Sequence, residues 1–223
     1  MSDTEHPALI EYPAKAAFGR KIPKTKYYEH AAVSAKLKEL FVTQVEQITW
    51  QYKLAPETIN LPASPGVAEI QIFSIELKTP ELDKDVLRCI DAAIAFPILF
   101  ELVFDGKTQV VAAYKHLKGD LSTGRMATTD YVRSEWIPGE IPRTTFPVTL
   151  NLGSLYERLM LRLLRLPQRP KESLAELFDR LEKIRQLERD LHKAVSKLET
   201  EKQFNRKVDL NRDARKLEDQ LRQ

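Results

Sequence analysis

The last quarter of the chain constrains the fold more than any other segment. Residues 172–223 contain neither glycine nor proline, and apolar side chains recur in them at spacings of three and four residues. This spacing is close to a heptad pattern and predicts a long amphipathic helix. The seam consists of Leu174, Leu177, Leu181, Ile184, Leu187, Leu191 and Leu198, followed after a weaker stretch by Val208 or Leu210, Ala214, Leu217 and Leu221.

One continuous helix over this segment would be about 75 Å long, which exceeds the width of a domain of this size. The segment must therefore project, fold back as a hairpin, or pair with another chain. The weak stretch at 200–207 leaves two alternatives, namely one helix or two helices with a break near 203–205. A hairpin would bury its own leucines, whereas a docking or dimerisation arm would bury them against a partner. The candidate partner interface is Leu177, Leu181, Ile184, Leu187, Leu191, Leu198, Leu217 and Leu221.

Composition excludes several classes of protein. The 223 residues are 43% hydrophobic, enough for one core plus an appendage. A net charge of +3 describes a mixed surface, so any contact with nucleic acid has to come from a local patch. Cys89 is the single cysteine, so no internal disulfide can form. No stretch resembles a signal peptide or approaches the roughly 20 apolar residues of a membrane span, so we expect a cytoplasmic protein without membrane contact.

Periodicity and turn signals predict helices and strands in mixed order. Residues 31–54 have helical spacing of apolar side chains, and residues 68–77 alternate like a strand. Thr79-Pro80 is a helix-start signal, since threonine caps and proline suits the first helical position. Asp105-Gly106 predicts a two-residue hairpin turn that pairs Phe104 with Lys107, and therefore Glu101 with Val110.

This order predicts an α+β fold. We expect a small mixed sheet with flanking helices, followed by a long C-terminal coiled-coil helix or helical hairpin. The expected segments are an irregular basic arm over 1–30, an α+β core domain over 31–150, a basic helix and proline-rich linker over 151–171, and a coiled-coil arm over 172–223.

Two acidic positions are candidates for catalysis. Glu101 interrupts an apolar strand, and an acid there is either a general acid or a paired structural charge, of which we favour the second. Glu76-Leu77-Lys78 matches the E-x-K fragment of a metal-dependent nuclease strand, in which an acid on the preceding hairpin strand helps to hold Mg²⁺. The segment before this strand reads as a loop, which argues against the match. The nuclease alternative would use Glu76, Lys78 and Glu101. We find no motif for a cofactor and no metal-ligand spacing.

Two basic features are candidates for nucleic-acid binding. Arg158, Arg162 and Arg165 share one face of a predicted helix, where guanidinium groups either grip phosphates or form a solvated face. Lys21, Lys24 and Lys26 precede two tyrosines, a combination that suits a nucleic-acid backbone with unstacked bases, or an unstructured arm.

Several long phrases resemble an uncharacterised bacterial family, domain of unknown function number 4391. They are KIPKTKYYEH, KLKELFVTQVEQITWQYKLAPETINLP, DVLRCIDAAIAFPILFEL, VVAAYK and EKQFNRKVDLN. The resemblance extends over nearly the whole chain and implies a bacterial protein encoded near helicase and methyltransferase components of restriction-like or phage-defence systems. No catalytic residue of this chain can be inferred from the resemblance.

Together these observations favour a non-catalytic accessory subunit. Its C-terminal seam would join it to a second copy or to a larger helicase or methyltransferase partner, and its basic residues would contact nucleic acid. A divergent Mg²⁺-dependent nuclease and a pure protein scaffold remain the alternatives.

Overall fold

The computed structural model describes residues 6–29, 33–117, 126–164 and 166–222. The chain divides into two compact units, residues 1–165 and 166–223, which we call the sheet unit and the helical unit. This division differs from the four expected segments, because the N-terminal arm and the helix expected after residue 151 both belong to the sheet unit.

Eleven strands lie in the described part of the sheet unit. Seven of them form one mixed sheet with the order β10-β6-β5-β4-β3-β2, in which β9 also pairs with β6. Strands β4 and β5 are parallel, and every other pairing in this sheet is antiparallel. The strands are β1 (His6–Ile10), β2 (Ala17–Lys21), β3 (Val45–Leu54), β4 (Ile70–Leu77), β5 (Ile98–Phe104), β6 (Lys107–Ala112), β7 (Lys115–Leu117), β8 (Met126–Thr128), β9 (Val132–Arg133), β10 (Ile137–Pro138) and β11 (Arg143–Thr144).

Seven α-helices accompany the strands among the described residues. Five belong to the sheet unit and two to the helical unit. None of those described is long and apolar enough to cross a membrane. The helices are α1 (Thr25–Glu29), α2 (Ala35–Gln44), α3 (Pro56–Ile59), α4 (Lys84–Ala93), α5 (Leu152–Leu161), α6 (Leu174–Thr200) and α7 (Phe204–Arg222).

The helix expected over 31–54 is wrong in its second half. Helix α2 ends at Gln44, and the chain continues directly as strand β3. Residues 45–54 are rich in β-branched and aromatic side chains, which favour a pleated strand. Strand β3 is also paired on both sides, with β2 and β4, so tertiary pairing outweighs the helical spacing of its apolar residues.

The N-terminal arm is not irregular where the structure describes it. Strand β1 pairs with β11, and β2 adds an edge strand to the large sheet beside β3. The expected domain boundary at residue 30 therefore does not separate an arm from a core.

The hairpin predicted at Asp105-Gly106 is confirmed, including its register. Strands β5 and β6 pair Phe104 with Lys107 and Glu101 with Val110. The strand expected over 68–77 is confirmed as β4. The following helix begins at Lys84 rather than near Thr79, because the Asp83 carboxylate accepts a hydrogen bond from the Asp85 N–H and caps the helix there.

Both faces of the central strands are buried. The first face, which carries Phe73 and Phe100, packs with side chains of α2 and α4 in one apolar cluster. The second face carries Ile72, Leu99 and Val110, which are also buried. Because the sheet is covered on both sides, the sequences of β4 and β5 are almost continuously apolar.

The helical unit is a hairpin of α6 and α7. The two helices pack against each other, and residues 201–203 join them. The seam therefore contains a break, as one of the two alternatives predicted, and it folds back. Ser173 caps α6, since its Oγ accepts a hydrogen bond from the Glu176 N–H at 3.3 Å and Glu176 Oε2 accepts one from the Ser173 N–H at 2.8 Å.

Candidate functional site

Glu101 is an ion-paired residue on the second face of the sheet. Its side chain is only 6% exposed. Arg143 Nη1 donates to Oε1 at 2.8 Å, and Arg143 Nη2 donates to Oε2 at 2.7 Å. Nη1 also donates to the carbonyl oxygen of Ile10 at 2.9 Å. Hydrogen bonds to Glu101 raise the pKa of Arg143 above its ordinary value. The Glu101 carboxylate is therefore paired with the Arg143 guanidinium group, as expected if Glu101 is a paired structural charge.

Tyr12 lies beside this ion pair with a buried hydroxyl. Its ring contacts the ring of Tyr52 with centroids 4.8 Å apart. The hydroxyl oxygen is buried and has no hydrogen-bond partner among the described residues. Burial raises the pKa of Tyr12 well above its ordinary value, and the charge of Glu101 adds to this effect. Tyr12 is therefore a neutral phenol whose desolvation is not compensated by a hydrogen bond.

The strand that precedes β4 carries an amide opposite Glu76. Strand β3, which lies in the segment expected as a helix, pairs with β4, and its Gln47 is the cross-strand neighbour of Glu76. Gln47 Nε2 donates to Glu76 Oε1 at 3.2 Å. A metal-dependent nuclease needs an acid at such a position, because Mg²⁺ is held by oxygen ligands of high negative charge. The Gln47 amide instead presents its N–H donor to the carboxylate.

Lys78 and Lys24 lie at the C-terminal end of α2. Lys78 Nζ donates to the carbonyl oxygen of Val42 at 3.0 Å and lies 3.5 Å from Glu46 Oε2. Lys24 Nζ donates to the carbonyl oxygen of Val45. Burial lowers the pKa of Lys24, and the charge of Lys78 lowers it further. Carbonyl groups at a helix C-terminus attract cations, so both lysines act as caps of α2.

The three residues of the nuclease alternative each contact a different group of the sheet unit. Glu101 is bound by Arg143, Glu76 accepts from Gln47, and Lys78 caps a helix. Within the described ranges, no group of three or more His, Cys, Asp or Glu side chains is placed to hold a metal ion.

Basic and aromatic side chains meet at the β2 edge of the sheet. Arg20 and Lys21 are exposed on β2, where they are cross-strand neighbours of Trp50 and Thr49. Lys26 is exposed on α1. The structure thus places Arg20 and Lys26 beside aromatic rings, whereas Lys21 lies opposite Thr49 and the ammonium group of Lys24 is engaged with the end of α2.

A cavity of about 350 Å³ opens beside this edge, on the first face of the sheet. We call it the aromatic cavity. The rings of Trp50 and Phe73 are nearly parallel, at 6°, with centroids 6.1 Å apart. The exposed ring of Phe18 contacts Trp50 with centroids 4.3 Å apart. The wall of the cavity includes Lys26, Tyr27, Trp50, Gln71, Phe73, Ala93 and Phe96.

A buried ionic cluster holds one wall of this cavity and was not anticipated from the sequence. Lys115 Nζ lies 2.9 Å from Asp91 Oδ1 and donates to the carbonyl oxygens of Asp91, Ile94 and Phe96. The Tyr131 hydroxyl donates to Asp91 Oδ2. Burial raises the pKa of Asp91, against the opposite effects of Lys115 and Tyr131. The cluster fixes residues 94–96 after α4, and these line the cavity.

The arginines expected on one face of the basic helix differ in exposure where the structure describes them. Arg158 is exposed, whereas Arg162 is only partly exposed. The positive charge of Arg162 lowers the pKa of Tyr12, against the larger effect of burial. Arg165 lies outside the described residues. Because Tyr12 accompanies Glu101 on the second face, Arg162 and the aromatic cavity lie on opposite faces of the sheet.

The candidate interface leucines are mostly half-buried in the hairpin. Leu177 is fully buried, while Leu181, Ile184, Leu187, Leu191, Leu198, Leu217 and Leu221 are of intermediate exposure. Two apolar side chains next to the turn, which the sequence did not single out as interface residues, are more exposed, with Phe204 at 77% and Val208 at 52%.

Comparison with known proteins gives one result. A family model described as Domain of unknown function (DUF4391) matches residues 10–221. No curated protein and no solved structure matches the chain.

Proposed function

The chain belongs to the family Domain of unknown function (DUF4391), whose name assigns no activity, and we propose from its own residues that it is a non-catalytic accessory subunit. In this proposal the helical unit binds a partner protein, and the basic edge of the sheet unit binds single-stranded nucleic acid without cleaving it. The resemblance given above favours the cytoplasm of a bacterium and a restriction-like or phage-defence system as the setting.

The observation that carries the proposal is the apolar end of the helical hairpin. Phe204 and Val208 are one helical turn apart on α7 and are largely exposed. Val195 of α6 is also 36% exposed. Large apolar side chains grouped next to a turn are typical of a protein contact. Two helices alone bury only one side of each helix, so a further layer of protein would complete the packing.

A second copy of the chain is the partner that this geometry favours first. Two helical hairpins bury their apolar stripes against each other as a four-helix bundle. The charges of α6 and α7 are mixed, so two copies do not repel each other through a single-sign surface. A larger helicase or methyltransferase chain is the second candidate, and the resemblance supports it.

The absence of catalysis in this proposal rests on how the candidate acids are bound. An acid that holds Mg²⁺ needs free lone pairs and anionic neighbours. Instead, both carboxylate oxygens of Glu101 accept hydrogen bonds from Arg143. Glu76 accepts a hydrogen bond from the Gln47 amide.

The mass of the full chain in solution tests the role of the hairpin. We expect light scattering to give at least two chains per particle. Phe204→Asp combined with Val208→Asp should shift the mass to one chain, because both charges would have to be desolvated in the interface. Far-UV circular dichroism should show unchanged helicity, since both side chains point to solvent.

Asn211→Asp is the matched control. Combined with Gln220→Glu it adds the same two negative charges at exposed positions of α7 and should leave the mass unchanged. A wild-type chain that stays monomeric at every concentration would contradict self-association. If that monomer binds a helicase or methyltransferase chain and the double variant does not, the partner is the larger protein.

A further inference from the structure

We propose that the aromatic cavity accepts one base of a single-stranded nucleic acid. The inference rests on the proposed nucleic-acid role and deepens it, since it names the chemical group that is recognised and the residues that recognise it.

The walls of the aromatic cavity suit a flat, apolar ligand. A volume of about 350 Å³ lies within the usual range of small-molecule sites, roughly 300–1,000 Å³. Trp50 and Phe73 present nearly parallel ring planes, and Tyr27 and Phe96 add further rings to the wall. Every nucleobase has a π-face, so base stacking on such rings is the usual contact of proteins that bind single strands.

Gln71 provides the polar contact that a base edge needs. It is 5% exposed, and its Nε2 donates to Glu69 Oε1 at 2.5 Å. No hydrogen bond to its Oε1 occurs among the described residues, although the residue forms part of the cavity wall. A carboxamide offers both donors and an acceptor, and the edges of bases carry the complementary groups. The bond to Glu69 holds the amide in place before a ligand binds.

Cations lie where the phosphates next to an inserted base would run. Lys26 is exposed and forms part of the wall itself. Arg20 is exposed on the edge strand and is the cross-strand neighbour of Trp50, whereas Lys21 lies opposite Thr49 and is not counted among these cations. The exposed ring of Phe18 against Trp50 extends the stacking surface outward from the cavity.

An apolar side chain of a partner protein explains these observations less well. Such a ligand would fill the cavity and separate Gln71 Oε1 from water without giving it a donor, which costs free energy. It would also give no role to Arg20 and Lys26, the two cations beside the cavity. A base with its phosphates uses the rings, the amide and the cations together.

A cavity-filling variant tests the inference without removing any core residue. Ala93 lines the cavity and is exposed at the end of α4. Ala93→Trp should occupy the space and weaken binding of a fluorescein-labelled single-stranded DNA by at least about tenfold in anisotropy titrations, the size expected for losing one stacked base. Ala92→Trp, at the exposed neighbouring position outside the wall, should stay within about twofold of the wild-type protein.

Two further measurements identify the recognised group. In a Trp136→Phe background, an oligonucleotide should quench the remaining Trp50 fluorescence, while an abasic oligonucleotide of the same length should not. Lys26→Gln should lower the slope of log K against log[salt] by about 1 for both oligonucleotides, since it removes one phosphate contact.

The outcomes separate this inference from the proposed function. If wild-type protein binds DNA and Ala93→Trp binds equally well, the cavity is not the site, but nucleic-acid binding stands. If the wild-type protein binds neither DNA nor RNA, both proposals fail. Equal competition by a free mononucleotide would show that the cavity binds small nucleotides and would overturn recognition of a strand.

Discussion

Arg143 and Glu101 form a bidentate ion pair between residues that are 42 positions apart in the chain. The pair joins strand β5 of the large sheet to β11, and Arg143 also binds the carbonyl oxygen of Ile10. One guanidinium group therefore connects the sheet with the N-terminal strand β1. We therefore expect Glu101 and Arg143 to contribute to the stability of the sheet unit.

Removing the arginine should destabilise the sheet unit. Arg143→Leu leaves the Glu101 carboxylate buried without a cation, and losing one partner of a buried pair costs about 3–5 kcal/mol. Because 39% of the Arg143 side chain is exposed and screened by water, we expect a smaller loss of about 2 kcal/mol in the free energy of unfolding. Urea unfolding followed by tryptophan fluorescence measures this loss. Arg158→Leu, at an exposed position, is the control, and equal stability of the two variants would contradict the structural role.

Tyr12→Phe should not destabilise the protein. The hydroxyl is buried without a hydrogen-bond partner among the described residues, so its removal relieves desolvation and keeps the ring contact with Tyr52. We expect the free energy of unfolding to stay equal or to rise by about 1 kcal/mol. Tyr156→Phe is the contrasting variant, because that hydroxyl donates to the Ala113 carbonyl oxygen and accepts from the Lys115 N–H. A larger loss from Tyr12→Phe than from Tyr156→Phe would show that the Tyr12 hydroxyl has a partner.

Local signals in the sequence were sufficient for several elements. The two-residue turn Asp105-Gly106 determines the register of β5 and β6, so the pairing of Glu101 with Val110 can be predicted from the turn alone. The absence of glycine and proline after residue 172 likewise predicts the helices of the helical unit. The sequence does not predict strand β3 by periodicity, because its apolar residues also have helical spacing. Its β-branched and aromatic content is the signal that favours a strand.

The candidate sites depend on contacts between residues that are far apart in the sequence, and no local sequence pattern predicts such contacts. Arg143 is a single arginine in a proline-rich segment, and nothing near it points to Glu101. The aromatic cavity combines residues from α1, β3, β4 and the end of α4, so it exists only once the sheet has formed. The E-x-K fragment is visible in the sequence, but its cross-strand neighbour Gln47 follows only from the pairing of β3 with β4.

The start of α6 should depend on pH in the acidic range. Hydrogen bonds from Arg180 lower the pKa of Glu172 from 4.5 to about 2. A lowered pKa in the folded state means that the ion pair stabilises the protein above pH 4.5, and that this contribution is lost as the pH falls towards 2. Glu172→Gln removes the titrating group. We expect the thermal midpoints of wild type and variant, followed by circular dichroism, to differ at neutral pH and to converge between pH 4.5 and 2.

Glu218→Gln is the matched control for this pH effect. It removes the same kind of carboxylate from an exposed position of α7. The difference between its thermal midpoint and that of the wild-type protein should stay constant over the same pH range. A constant difference between wild type and Glu172→Gln at every pH would contradict the role of the ion pair with Arg180.

One gel experiment tests the central claim of binding without cleavage most directly. Purified full-length protein is incubated with end-labelled single-stranded DNA and RNA in Mg²⁺ or Mn²⁺, and each sample is run on a native and on a denaturing gel. Our account predicts a retarded band on the native gel and strands of unchanged length on the denaturing gel. Metal-dependent shortening of the strands that Glu76→Gln or Lys78→Ala abolishes would contradict it and would identify the protein as a nuclease.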